Sequence, residues 1–468
     1  MGKQSIRSKD LSKIGYRSDV ARGLAMNLAA RHFKHSSKEE VLALLQEVLQ
    51  QPETFLEHLA LAPLALKLCP PKESKAFEVH GLRPKAGFTK VYGGHEIEGS
   101  TKKQMELAMR LPVAVQGALM PDAHAGFGLP IGGVLAVDKA VVPYAVGVDI
   151  GCRMALSVFD LPEKYLLTHT YQLKQALKEF THFGITGGLE FMQEHEVLDS
   201  PDFQLTPLLR KLHGKAVKQL GSSGSGNHFV EFGLLELYGQ NQLGLPAGNY
   251  LALLSHSSSR GMGAAVAKHY TQLALEVCKL PREAQALAWL SLDSEAGQEY
   301  WLSMNLAGDY ARACHDRIHL NLAKALGEKP VAKVENHHNF AWQDTLPDGR
   351  GVIIHRKGAT PAHTGELGII PGSMTTAGYL VSGKGCADSL FSASHGAGRR
   401  LSRGRAKQSF TMSDLKKTLS AAGVTLLGGS PEEHTLAYKD IEAVMQAQKQ
   451  LVEVHGRFLP KVVRMNKE

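Results

Sequence analysis

No apolar run among these 468 residues reaches the roughly 18–20 residues that a membrane-spanning helix needs, so no membrane association is expected. Cysteine is scarce. Cys69, Cys152, Cys278, Cys314 and Cys386 are the five present, with no CxxC pair and no regular spacing. An odd, scattered set argues against a disulfide framework and for a reducing compartment. The basic opening stretch MGKQSIRSKD is not followed by an apolar segment of the kind that marks a secretory signal. Position 6 is Ile where a myristoylation motif has Ser or Thr. A cytoplasmic protein is therefore expected. Internal repeats and low-complexity linkers are also missing, and no GK[ST] triplet follows the Gly-rich stretches, so a P-loop is not expected.

What is present is basic and rich in histidine. Lys plus Arg number 53 against 45 Asp plus Glu, a formal charge of +8. That excess suits a polyanionic partner such as nucleic acid, although a merely basic enzyme would show it too. Residues 1–75 read as a helical accessory segment. Ser37 and Glu40 form a capping box ahead of VLALLQEVLQ, and Cys69-Pro70-Pro71 breaks the pattern. From residue 76 the texture changes to short apolar runs between Gly-rich turns: VLAV, VVPYAVGVDI, NYLALLSH, GVIIHR and ELGIIPGSM read as buried strands. Helices are expected near 162–182, 202–220, 262–325 and 434–453. The whole reads as an α+β chain with one domain over 76–468.

Polar residues gather where apolar runs end, a common way to hold a site on a rigid frame. Asp149 and Cys152 are expected to end the strand VGVDIGC; together they could ligate a divalent ion, or be a turn Asp and a buried Cys. The loop GSSGSGNH could turn backbone N–H groups toward phosphate, and Asn227, His228 and Glu231 stand at its end. LSHSSSRG carries His256, ENHHN carries His338, IPGSM carries Ser373, and SHGAGR carries His395 and Arg399. With 22 histidines, any one alone is more readily structural than catalytic. Several of them in Gly/Ser/Asn settings, with a carboxylate and a thiol available, suit Mn, Fe, Co or Zn. Arg260, Arg356, Lys357, Arg399 and Arg403 are expected to supply cations nearby, which points to phosphoryl or nucleotidyl transfer.

In this order VGVDIGC, GxGNHF, SHSSSRG, HHN, HRKGA, IPGSM and SHGAGR resemble the motifs of the RtcB RNA ligases, over roughly residues 80–445. The resemblance implies packed β-sheets around one cleft and a two-ion site, usually manganese. Cys152 would bridge the ions, with His256 and His338 on one and Asp149 and His228 on the other. It further implies that His395 attacks GTP and carries GMP. Asn227, Glu231, Ser373, Arg399 and Tyr438 would bind the guanylate; the place of the family's C-terminal Lys falls to Lys467 with a small shift in register, or to Met465 in a simple alignment. The implied reaction joins an RNA 2′,3′-cyclic phosphate or 3′-phosphate end to a 5′-hydroxyl end, in tRNA splicing or RNA repair. Some relatives need an activating protein partner. The sequence departs from the pattern at Arg153, where the family commonly has Gly, and in HAGFGLP, which lacks the usual Lys. A competing reading is a metal-dependent phosphoesterase of RNA termini without efficient guanylylation. A non-catalytic RNA-end binder is a third.

Overall fold

The computed structural model describes residues 6–33, 36–56, 58, 60–69, 76–184 and 192–466; Lys467 lies outside them. The chain divides into two compact units, Met1–Phe77 and Glu78–Glu468. The first is helical. Helix Lys38–Gln50 opens with the capping box read from the sequence: the Glu40 N–H donates to Ser37 Oγ (3.2 Å) and the Ser37 N–H to Glu40 Oε2 (2.8 Å). Its buried Val41, Leu45 and Val48 pack with Leu11, Tyr16 and Leu64, and the Tyr16 hydroxyl donates to the Leu45 carbonyl at 2.8 Å.

The second unit is α+β, built on two sheets. Among the described residues, the larger has eight strands. Seven run edge to edge as Ala332–His337, Arg153–Phe159, Gly248–Ser257, Phe229–Leu237, Val452–Met465, Gly378–Gly383 and Leu367–Ile370, all antiparallel neighbours; Thr425–Leu427 joins Val452–Met465 in parallel. The smaller orders Asn339–Thr345, Gly351–Lys357, Ile131–Val137, Ala114–His124 and Thr89–Val91. Val134, Ala136, Val352 and Ile354 of the smaller sheet share a core with Ile370, Tyr379 and Val381 of the larger.

The period-2 alternation of strand side chains decides which residues face the cleft. On Gly248–Ser257, Leu251 and Leu253 pack under helices Thr170–Phe180 and Glu295–Leu326, whereas Ala252 and Leu254 face the other way. His256 follows Leu254 onto that second face. Ser255 points back at the helix, where its hydroxyl meets His315 Nδ1 (2.6 Å) and His319 Nε2 (2.7 Å).

Three sequence expectations change. Residues 141–150 are not one strand. Pro143 sits at the start of a helical turn, Pro143–Val146, where its locked φ fits and its missing N–H is not needed. Gly147 then takes φ +95° and Gly151 φ +67°, conformations open to glycine without the Cβ penalty. Asp149 and Cys152 thus precede strand Arg153–Phe159 rather than end one. The long helix expected over 262–325 is two, Arg260–Val277 and Glu295–Leu326, with Pro281 in the break where a helix cannot continue without losing an N–H donor. The helix expected over 434–453 shrinks to Ile441–Ala447, and strand Val452–Met465 begins soon after. Val452 and Glu453 pair with Gly383 and Ser382, and that ladder overrides the local pattern.

Candidate active site and metal centre

Cys152, His228 and His256 come together from three places: the turn before Arg153–Phe159, the residue before Phe229–Leu237, and the end of Gly248–Ser257. Cys152 Sγ lies 3.4 Å from His228 Nε2 and 3.2 Å from His256 Nε2, and His256 Nε2 lies 3.2 Å from His338 Nε2. All four side chains are buried. Nδ1 of His256 faces the Asn227 carbonyl at 3.1 Å. A carbonyl only accepts, so Nδ1 carries the proton and Nε2 presents a lone pair to the cluster. The Nδ1 atoms of His228 and His338 are buried without a hydrogen-bond partner. Burial drives the pKa of His228 and of His256 down to about 3 and pushes the His338 pKa down as well, with the neighbouring histidines adding to it. These rings are therefore neutral, the form that binds metal. Burial, and then Asp149, push the Cys152 thiol up; a cation among the rings would reverse that. One sulfur and two imidazole nitrogens within 4.8 Å of one another, with His338 Nε2 beside His256, fit a borderline transition ion. Asp149 is exposed on its turn, and its Oδ1 accepts from the Ser258 hydroxyl at 3.4 Å.

His395 stands beside this cluster, its ring centroid 5.0 Å from that of His338. It follows strand Ser392–Ser394 and is oriented by Asp122, a fully buried carboxylate on strand Ala114–His124. Asp122 Oδ2 accepts from both the His395 backbone N–H (3.2 Å) and Nδ1 (2.6 Å). With the Nδ1 proton held there, Nε2 is the nitrogen with a free lone pair. The signal for Asp122 was in the sequence: the one carboxylate in Ala114–His124, whose other polar side chains are Gln116 and His124. His124, two residues later, lines the cleft as well. Burial lowers the His124 pKa to about 4.

A cavity of about 200 Å³ opens next to His395 and includes Asn227, Glu231, Ser373, Arg399 and Tyr438 in its lining. Glu231, projecting from Phe229–Leu237, is buried, and burial alone pushes its pKa up to about 8. The Ser373 N–H donates to Thr376 Oγ1 at 2.7 Å, which shapes the IPGSM loop. Arg399 lies over the Tyr438 ring at 5.0 Å and donates to Glu433 Oε1 at 3.1 Å, while the Tyr438 hydroxyl donates to the other Glu433 oxygen. Glu433 was not singled out from the sequence; only the fold brings it under both.

The five expected cations separate. Arg403 and Arg399 line the cavity, and Arg403 Nη2 donates to Asn227 Oδ1 at 3.0 Å. Arg260, Arg356 and Lys357 are buried and hold protein oxygens instead: Arg260 binds Ser222 Oγ and the Gly184 carbonyl, Arg356 the Ser392 hydroxyl and the Leu390 and Phe391 carbonyls, and Lys357 the Phe127 and Tyr144 carbonyls. A buried cation needs such acceptors to offset lost hydration, so these three are framework rather than phosphate contacts.

His395, the Cys152 cluster and the cavity share one cleft, and comparisons with known proteins give the family of the chain as a whole. Residues 104–466 match the family described as tRNA-splicing ligase RtcB. The chain belongs to the RtcB family of RNA ligases. It is 32% identical over 396 residues to RNA-splicing ligase RtcB1 of Escherichia coli ATCC 25922, covering 77% of this chain and 93% of the relative. RNA-splicing ligase RtcB of Escherichia coli K12 is 31% identical over the same shares. tRNA-splicing ligase RtcB of Nanoarchaeum equitans is 30% identical over 438 residues, covering 78% of this chain and 91% of the relative. Arg153, the departure from the RtcB pattern noted above, points away from the cluster, toward Glu335 (3.7 Å) and His337 Nδ1 (3.5 Å).

Proposed function

We propose that the protein joins RNA ends in a GTP-dependent reaction in which His395 carries GMP, as the RtcB resemblance implies. The observation that carries this reading is the Asp122–His395 contact: it fixes the proton on Nδ1 and leaves Nε2 free in a cavity beside the Cys152 cluster. Nε2 attacks the α-phosphorus of GTP; the N–P bond forms, the bond to the β-phosphate oxygen breaks, and pyrophosphate leaves. The carboxylate of Asp122 stabilises the positive charge that grows on the ring, as an acidic partner does for an attacking or proton-accepting imidazole elsewhere. A 2′,3′-cyclic phosphate is first opened by water to a 3′-phosphate. An oxygen of that phosphate takes GMP from His395, and the 5′-hydroxyl of the second strand then attacks the 3′-phosphorus and releases GMP.

Two manganese ions would be held by Cys152, His228, His256, His338 and Asp149. Bound there, divalent ions would offset phosphate charge and align attacking oxygens. Around the guanylate, Glu231 would accept guanine N–H groups, Tyr438 would lie against the base, Asn227 and Ser373 would bound the pocket, and Arg399, held by Glu433, would brace Tyr438 and border the phosphate. The RNA ends of split tRNAs or of damaged RNA are the substrates this chemistry suits.

Incubation with radiolabelled GTP and Mn²⁺ followed by a denaturing gel tests the reading. An acid-labile label on the wild-type protein, absent from His395→Ala, is expected. No label from a folded, metal-loaded protein would sink it in favour of a phosphoesterase that opens cyclic phosphates only.

A further inference from the structure

Phe127 is the most exposed of the large hydrophobic side chains among the described residues, at 79%, yet the backbone that carries it is clamped. One residue before it, the Gly126 N–H donates to Gln104 Oε1 (3.1 Å) and the Gly126 carbonyl accepts from Gln104 Nε2 (2.6 Å). The Phe127 carbonyl itself accepts from the buried Lys357 ammonium, which also holds the Tyr144 carbonyl. Gly128 is tucked against Ala286 and Tyr144, where a Cβ would meet the Ala286 carbonyl at 3.0 Å. A scattered surface hydrophobe usually needs no explanation. An aromatic ring turned to solvent from a loop fixed at three successive residues is a different arrangement, because the ring's position is set before anything binds.

Its location gives it a use. His124, three residues earlier, lines the cavity that contains His395, and three residues of chain span at most about 10 Å. On the other side of the same post, the Lys357 side chain lies 3.4 Å from where a Gly147 Cβ would stand, and the next residue, Val148, is 55% exposed one position before Asp149. Gly358, following Lys357, packs so closely that its Cβ would sit 3.2 Å from His395 Cε1. Lys357 thus ties an exposed aromatic, an exposed aliphatic and the candidate nucleophile to one frame. Exposed Lys103 precedes the Gln104 clamp. Aromatic faces beside cationic surface are how single-stranded nucleic acid is held, each base stacking on a ring without regard to its identity.

The geometry points to Phe127 as the stacking platform for an unpaired terminal nucleobase of RNA, holding a strand end at the mouth of the His395 cleft. This rests on the ligase reading for what happens next, but the stacking can be read without ligation. Two oligonucleotides are used, one with 2-aminopurine at a 3′-phosphate end and one with it at a 5′-hydroxyl end. Wild-type protein is expected to quench one of them, which also says which strand the platform holds. Phe127→Ala is expected to lose that quenching and weaken binding by about 10-fold, while Phe127→Trp keeps both; unchanged bound metal in each variant reports that the fold survives. Equal quenching and affinity in wild type and Phe127→Ala, for both labels, would overturn the inference. Wild type that joins ends but quenches neither label would overturn it alone. Wild type that quenches through Phe127 yet never joins ends would leave the platform standing and remove the ligase reading.

Discussion

Binding of guanine to the Glu231 carboxylate should release a proton, and the structure sets how much. Glu231 is buried, and burial pushes its pKa up to about 8 from an ordinary 4.5. In the empty pocket at pH 6 only about 1% of the molecules have it ionised, and at pH 8 about half. Guanine offers N–H donors on its pairing edge, so it selects the ionised form. Apparent affinity is reduced by the fraction of competent protein. Between pH 6 and pH 8 the Kd should therefore fall about 50-fold, or about 2 kcal/mol. Guanosine is the right probe, since it brings no phosphate to titrate and needs no metal. Calorimetry in two buffers of different ionisation enthalpy should show close to one proton released per guanosine near pH 6.5. Glu231→Gln should bind more weakly at pH 8 and show no pH slope. Guanosine affinity flat from pH 6 to 8 in the wild type, with no proton released, would refute the assignment of Glu231 to the base.

The same burial makes a stability prediction of the opposite sense. The folded protein keeps a proton on Glu231 between pH 4.5 and about 8 that the unfolded chain has lost, so this group's contribution to stability declines as pH rises through that window; the melting temperature of Glu231→Gln relative to wild type should rise with pH and level off above 8. Asp122→Asn keeps the shape but removes the charge opposite His395 Nδ1. It should slow GTP labelling by about 100-fold, the size of a lost charged hydrogen bond of about 2–3 kcal/mol, and a wild-type labelling rate would contradict the role given to Asp122. Cys152→Ala should abolish stoichiometric metal binding measured by elemental analysis, without loss of fold by circular dichroism. Gly398→Ala would place a Cβ 2.2 Å from the Asp122 carbonyl oxygen at a φ of +73°; a loss of at least about 1 kcal/mol in urea unfolding is expected, with GTP labelling impaired because Asp122 must move.

The α+β character, the helical N-terminal segment with its Ser37 cap, and most of the strands were legible because each rests on local periodicity or on a cap only a few residues long. The histidine-bearing motifs were legible for a related reason: each brings unusual residues together within a few positions. The errors fell where local pattern lost to something distant. Residues 141–150 look like a strand, but Pro143 and two glycines at positive φ turn the chain so that Cys152 enters the cluster from a turn. The stretch 434–453 looks helical, but a turn follows Ala447 and Val452 enters a ladder with Gly383.

The sequence by itself determined which side chains are available for chemistry: the thiol, the imidazoles, the lone carboxylate in Ala114–His124, and the Gly-rich loops that let them approach. Only the tertiary structure decided their partners. It put Asp122 under His395 across 273 positions of chain, bent Arg399 and Tyr438 onto Glu433, and turned Arg260, Arg356 and Lys357 inward to hold carbonyls. The reason is physical. A motif fixes a residue's type and local backbone, whereas charge state and hydrogen-bond partner depend on burial and on what distant strands bring within about 3 Å, and no short stretch of sequence encodes that.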